Sequence, residues 1–461
     1  MSAPRVSMIT EWLHDGDYLV GDAVAIGAPM VGEIGRVCSD SRLAQPGSLF
    51  VALVGERVDG HRFIDEANRN GAIAALVSHE RLADLRRSLP GSITLLPVTD
   101  QLAALQYLAT RWRSQFSELL RVGVTGSNGK TTTKEMIASV LSHLGPTVRS
   151  SGNFNSEIGL PMEILKIRSR HVYGVFEMGI NRVGEMELLA SLVEPNVALI
   201  TNIGTAHIGM FGSRDELIRE KAMIFSKFAD DSVAVIPDSD EIASVASQMV
   251  PGTIVRYTRE TAGIEDVEYA GLDGSVLHLS SGDVRLRIPG RRMVENATAA
   301  LTVCRLLGAE DHEIIDGLEA VQPVAGRSEV IPGSVTVIQD AYNANPESVR
   351  ASLDLLAEAD ATRRIAVIGA MKELGEFAPD AHRGVYEDAV ARGFDELWLV
   401  GDEFLSVVPA MSDRVRFFAD DNWAELENAA RGLREGDIVL LKGSRTVALE
   451  RLLPVIQERA G

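Results

Sequence analysis

The feature that most constrains this chain is the run LLRVGVTGSNGKTTTKEMIASVL, residues 119–141. An apolar, β-rich segment ends at Gly126, passes through Gly129, Lys130 and Thr131, and continues directly as an amphipathic helix pattern. A strand that hands over to a helix through such a loop turns backbone N–H groups and the positive end of the helix toward one point, which suits a phosphate. Gly126 and Gly129 let the backbone come close, and Lys130 supplies a point charge near the β and γ oxygens. Thr131 offers a hydroxyl to Mg²⁺. Ser127, Asn128 and Thr132 complete the expected ATP cradle. The full P-loop pattern needs glycine at position 124, where this chain has Val124. The loop is therefore a shortened one.

The same alternation of apolar run and helix pattern recurs in HVYGVFEMG, NVALITNIG and DSVAVIPD, which predicts a mostly parallel sheet flanked by helices. Between about 253 and 289 short alternating segments with LDGS and SSGD turn signals predict a small antiparallel addition. After the Pro/Gly-punctuated stretch 321–333, read as a hinge, VTVIQDAYNANPES, RRIAVIGAM, ELWLVGD and DIVLLKGSR repeat the α/β pattern in a Rossmann-like way. The first 115 residues hold their own set, including GSLFVALVG and GAIAALVS. At roughly 100 to 200 residues per domain, the 461 residues divide into three α/β domains, read as 1–115, 116–325 and 326–461.

With 65 Asp and Glu against 45 Lys and Arg, the net charge is −20, which argues against a nucleic-acid binder with a basic face. Cys38 and Cys304 are the only cysteines, so a disulfide framework is not expected and a reducing compartment is. No apolar run reaches the 18 or more residues of a membrane span, and none near the N-terminus reads as a signal peptide. The expectation is a soluble, monomeric, cytoplasmic protein.

Three further residues bear on the loop. Glu177 closes the strand HVYGVFEMG, His207 follows the next strand in NIGTAHIGMFGS, and Lys221 lies in the helix pattern RDELIREKAMIFSKF. Singly these read as an exposed edge carboxylate, a hydrogen-bonding imidazole and a solvated lysine. Together, a carboxylate and an imidazole after adjacent strands point at a second metal beside the nucleotide.

These motifs resemble the Mur ligases, ATP-dependent amide-forming enzymes of peptidoglycan precursor synthesis. TGSNGKT is similar to their shortened phosphate loop, and FEMG, AHIGMFGS and REKAMIF to their Glu, His and Lys motifs. SDSRLAQPGSLFVALVGERVDGHRFIDEA (39–67) resembles the segment that recognises the UDP part of the substrate, and DAYNANPES, GAMKELGE and LLKGSRTVALE resemble motifs of the last domain. GNFNSEIGLP and DAYNANPES point to the branch that adds D-alanyl-D-alanine to UDP-N-acetylmuramoyl-tripeptide. Folylpolyglutamate synthases share the loop and domain order but would lack the SDSR domain. Two alternatives stay open: another Mur ligase adding a different amino acid, and a nucleotide-gated binding protein without catalysis.

The resemblance implies a mechanism in which the tripeptide carboxylate takes the γ-phosphoryl group of ATP, and the amine of D-Ala-D-Ala then displaces phosphate from the acyl phosphate. It implies Lys130, Glu177, His207 and Lys221 as catalytic residues. Thr131 would bind one Mg²⁺; Glu177, His207 and a carbamoylated Lys221 would hold a second. Asn296 would contact adenine, Arg327 a phosphate and Asp340 the ribose. Ser41, Arg42 and Asn155 would meet the nucleotide-sugar, and Asn343 and Asn345 the dipeptide. Arg292 and Met293 stand where the family's usual G-x-H-N has its His and Asn. Whether the tripeptide ends in diaminopimelate or lysine is not legible.

Overall fold

Three α/β sheets and one antiparallel ribbon follow one another in the computed structural model, which describes residues 2–27, 32–56, 58–205, 208–407 and 414–458. The first sheet comprises β1 (Val24–Ile26), β2 (Arg36–Cys38), β3 (Ser48–Val51), β4 (Ala72–Ser78) and β5 (Ile93–Val98), in the order β1-β5-β4-β3-β2. Only β1 runs antiparallel to its neighbour.

The second sheet is wholly parallel: β6 (Leu120–Thr125), β7 (Thr147–Arg149), β8 (Tyr173–Glu177), β9 (Val197–Ile200), β10 (Val233–Pro237) and β11 (Thr253–Tyr257), in the order β11-β10-β9-β6-β8-β7. The chain leaves β6 toward β7 and β8 on one side, then crosses to β9 on the other. The carboxyl end of β6 is thus a topological switch point, the place where such sheets open a crevice for a ligand. Residues 125–129, singled out above, sit at that point.

The stretch expected to be antiparallel from about 253 is so only from β12 (Ile264–Tyr269), through β13 (Ser275–Leu279) and β14 (Gly282–Leu286). β11 instead pairs in parallel with β10. It is an edge strand of the sheet and none of its residues is fully buried, unlike the inner parallel strands, so it lacks their continuous apolar run.

The third sheet, in the order β15-β16-β20-β17-β18-β19, contains β15 (Glu329–Ile331), β16 (Thr336–Asp340), β17 (Arg363–Gly369), β18 (Glu396–Val400), β19 (Val415–Phe418) and β20 (Asp437–Lys442). All but β15 are parallel. The stretch expected to be a hinge therefore ends in a short edge strand rather than remaining loop throughout.

The first sheet and one face of the second share a single apolar core. Leu105, Leu108 and Trp112 of the helix Gln101–Arg113 are buried with Leu160, Ile164, Leu189 and Val193 of the central segment. The Trp112 indole N–H donates to the Ile167 carbonyl at 3.0 Å, and Arg113 pairs with Glu194. The other face of the second sheet packs on the helices Lys130–Leu144, Arg291–Leu306 and Asp311–Glu319, against which β13 and β14 lay Leu277, Leu279, Val284 and Leu286. The third sheet has cores of its own on both faces. Among the described residues no helix is long and apolar enough to cross a membrane.

Candidate active site

The loop after β6 takes its shape from its two glycines. Gly126 (φ 146°) and Gly129 (φ 79°) occupy conformations that L residues rarely adopt. A Cβ at Gly126 would collide with Thr201, and one at Gly129 with the Asn296 amide. Gly129 stands at the N-terminus of the helix Lys130–Leu144, whose first N–H groups have no partner within the helix. The segment after β9 braces the loop from beside it: Ser127 N–H donates to the Asn202 carbonyl (2.9 Å), Asn128 N–H to Asn202 Oδ1 (2.9 Å), and Gly204 N–H to Ser127 Oγ (2.9 Å). The bonds that give the loop its shape thus lie within the protein.

Glu177 and Thr131 meet because β6 and β8 are neighbours, with Val124 opposite Glu177 in register. Thr131 Oγ1 donates to Glu177 Oε2 at 2.7 Å and Asn155 Nδ2 to Glu177 Oε1 at 2.7 Å. The carboxylate is only 1% exposed, so it is no surface edge residue. Lys130 Nζ donates to the Gly126 carbonyl at 2.9 Å. Burial holds its ammonium below the ordinary lysine range, Glu177 works the other way, and Arg327 adds to the lowering.

Lys221, on the helix Arg214–Ala222, is 1% exposed and reaches the same Gly126 carbonyl from the other side, at 3.1 Å. Burial first, and the charge of Lys130 second, push its pKa far down, with only Glu220 opposing. This is a buried amine with a depressed pKa, not a solvated lysine. His207 lies outside the described residues. Among the described residues no cluster of three or more His, Cys, Asp or Glu side chains stands ready for a metal. Thr131 and Glu177 do present adjoining buried oxygen donors, the donor chemistry that a hard divalent cation takes.

Facing the loop across a cleft of about 700 Å³ is the carboxyl edge of the third sheet. Asn155, Glu177, Asn296, Arg327, Asp340, Asn343 and Asn345 all line this cleft, together with Ser127 to Lys130 and Thr132. Arg327 lies over the Tyr342 ring, 4.1 Å from its centroid. Asp340 and Lys442 are register partners at the ends of β16 and β20 and pair at 2.9 Å. Asp340 also accepts from Ser352 Oγ at 2.7 Å. Sequence reading passed over Lys442, although a lysine closing the apolar run DIVLL is the signal that would have found it.

Asn343 is exposed in the cleft, whereas Asn345 is buried and fully engaged. Asn345 caps the helix Pro346–Glu358, its Oδ1 accepting from Ser348 N–H at 2.9 Å, and its Nδ2 donates to Asn128 Oδ1 at 2.7 Å. Asn128 Nδ2 returns a bond to Asn345 Oδ1 at 3.3 Å. Next to it, Glu347 accepts from Thr205 N–H (3.2 Å) and Oγ1 (2.9 Å). In this arrangement the Asn345 amide joins the phosphate loop to the third sheet rather than facing open space.

Ser41 and Arg42 lie away from this cleft, in the first sheet's segment. The Ser41 hydroxyl is buried and donates to Glu66 at 2.6 Å, and Arg42 folds back on Asp40 at 2.7 Å. Arg292 and Met293 line the cleft next to Asn296, whose amide meets the Met293 sulfur at 3.7 Å.

Three family profiles match the chain: residues 33–113 fit "Mur ligase family, catalytic domain", 124–304 "Mur ligase middle domain", and 326–445 "Mur ligase, glutamate ligase domain". The UDP-N-acetylmuramoyl-tripeptide--D-alanyl-D-alanine ligase of Treponema pallidum is 40% identical, over 92% of this chain and 94% of that protein. Its Escherichia coli counterpart is 34% identical over 92% and 93%. Among solved structures, MurF from Acinetobacter baumannii superposes with a TM-score of 0.79 at 33% identity, covering 93% of this chain and 94% of the other. MurF from Thermotoga maritima in complex with ADP gives 0.76 at 30% identity, covering 93% and 98%. With all three domain profiles in order and identity of this degree along nearly the whole chain, the protein belongs to the Mur ligase family.

Proposed function

We infer that the protein ligates D-alanyl-D-alanine to UDP-N-acetylmuramoyl-tripeptide at the expense of ATP, giving the UDP-linked pentapeptide of peptidoglycan synthesis. The observation that carries this reading is the cleft in which residues 127–130 and Thr132 of the loop face Arg327, Asp340 and Asn343, in a chain 40% identical to a ligase of that name. The terminal carboxylate of the tripeptide attacks the γ-phosphorus, forming an acyl phosphate and releasing ADP. The amine of D-Ala-D-Ala attacks the acyl carbon, and the C–O bond to phosphate breaks. Two anions must meet in the first step, so positive charge from Lys130, Arg327 and the helix end lowers its barrier.

In this reading the loop residues Gly126 to Thr132 hold the phosphates, Asn296 the adenine, Arg327 a phosphate and Asp340 the ribose. Thr131, Glu177, His207 and Lys221 would hold Mg²⁺, which when bound neutralises charge on the phosphate oxygens. Lys221 would do so as a carbamate. Burial that lowers its pKa raises the share of neutral amine, the form that attacks CO₂ with loss of a proton, and the carbamate would keep one N–H near the Gly126 carbonyl. Ser41, Arg42 and Asn155 serve the nucleotide-sugar, and Asn343 the dipeptide. Asn345 is reassigned from dipeptide contact to domain bridge, since both ends of its amide are engaged.

We place the domain boundaries at 1–115, 116–325 and 326–461. We read the protein as a monomer. Its buried free thiols, Cys38 and Cys304, suit a reducing cytoplasm. The test is phosphate release from ATP and Mg²⁺ with UDP-N-acetylmuramoyl-tripeptide, ending in either diaminopimelate or lysine. D-Ala-D-Ala should stimulate release above single amino acids and other dipeptides. ATP binding with no such stimulation would overturn the assignment and leave a nucleotide-gated binding protein.

A further inference from the structure

Lys134 has no part in the chemistry above, yet it is a lysine with 0% exposure in the second turn of the helix that begins at the phosphate loop. A buried ammonium is costly, and an apolar side chain fills such a space at least as well. Its charge is met by Glu135 at 2.7 Å, which Arg149 holds in turn at 2.8 Å. The remaining contact is directed: Lys134 Nζ donates to the Ser150 carbonyl at 2.7 Å.

Ser150, 1% exposed, continues β7 alongside β8, its N–H bonded to the Val175 carbonyl at 3.0 Å. Its hydroxyl accepts the backbone N–H of Glu177 at 2.9 Å. Glu177 returns to the helix through Thr131, three residues before Lys134 and on the same face. The contacts thus close a ring: Thr131, Lys134, Ser150, Glu177 and back to Thr131. Ser150 also opens the segment that carries Asn155, whose amide holds the other Glu177 oxygen.

We propose that Lys134 and Ser150 are positioning residues that fix the Glu177 carboxylate against Thr131, so that its two oxygens are set for the metal-bound nucleotide. This rests on the ligase reading. The parent enzyme's dipeptide-dependent phosphate release, measured in the same assay, reports on that reading separately.

The experiment compares Ser150→Ala, Lys134→Met and the double variant in steady-state kinetics, and in calorimetric binding of ADP across a Mg²⁺ titration. Partners that orient a metal-site carboxylate are each worth about 10- to 100-fold. Ser150→Ala should lower kcat by at least about tenfold, leave the dipeptide KM within about twofold, and raise the Mg²⁺ needed for ADP binding by about tenfold. Because both residues act through one carboxylate, the double variant should lose no more than about twice the larger single loss. Ser150→Ala with parental kcat and Mg²⁺ dependence would overturn the proposal, and so would single losses that multiply in the double variant. If Lys134→Met does not fold, Ser150→Ala, which removes one hydroxyl, decides alone.

Discussion

Replacing Asn345 separates two roles that one side chain fills. Its Oδ1 caps the helix Pro346–Glu358 through Ser348 N–H, and its amide exchanges bonds of 2.7 and 3.3 Å with Asn128 of the phosphate loop. Serine is as good an N-cap as asparagine but is too short to reach Asn128, whereas alanine does neither. The cap is worth about 1 kcal/mol. An amide hydrogen bond is worth roughly 0.5–1.5 kcal/mol net, and the 3.3 Å member of this pair adds little. The bridge therefore comes to about 1 kcal/mol, or about fivefold in the equilibrium that brings loop and third sheet together. Asn345→Ser should keep parental stability in urea unfolding and lose about fivefold in kcat/KM for both ATP and the dipeptide. Asn345→Ala should show the same kinetic loss and be about 1 kcal/mol less stable. A kinetic loss confined to the dipeptide KM would refute the bridge and return Asn345 to the dipeptide site. Asn345→Ser with parental kinetics would refute both the bridge and a dipeptide contact.

Two further predictions address buried titratable groups. Lys221→Ala should abolish ligation, and a short free carboxylic acid should partly restore it by standing in for the carbamate. Full activity without the acid would refute carbamoylation. His382 is held below its ordinary 6.5 by burial, its ring fixed between Met371 N–H at 3.0 Å and the Ala378 carbonyl at 2.7 Å. The unfolded chain takes up a proton near pH 6.5 that the folded ring refuses, so stability falls as pH drops below that value until the folded ring protonates. Urea unfolding between about pH 7.5 and about pH 5.5 should show a shallower fall for His382→Gln than for the parent. Parallel curves would refute this account.

The strand-loop-helix at 119–144 was readable because its signals are local: an apolar run, two glycines, and a lysine and threonine at the helix start. Glu177 was readable as a strand terminus. That it meets Thr131 was not, because the contact depends on β6 and β8 being neighbours across 46 residues of chain. Lys442 pairs with Asp340 for the same kind of reason, through register between β16 and β20. Asn345 is a different case. Asn345, Pro346 and Ser348 form a legible capping signature, with Pro at the first helical position, and reading them as a ligand motif obscured it. Ser41 and Arg42 were chosen for their chemistry, and their neighbours Glu66 and Asp40 were not legible as partners. The edge strand β11 misled because a partly exposed edge strand lacks the continuous apolar run of an inner parallel strand.

The core that runs unbroken from Ile9 through Trp112 to Ile164 and Ile236 has a consequence for the chain's synthesis. The helix Gln101–Arg113 is translated before the central helices Gly159–Ile164 and Glu185–Val193 that cover part of it. The part of its apolar face that meets Leu160, Ile164, Leu189 and Val193 waits for residues about 50 to 80 further along, so at about 5–20 residues per second it stays open for several seconds. A fragment ending near residue 115 should therefore be sticky, and a holding chaperone would serve this protein during that interval.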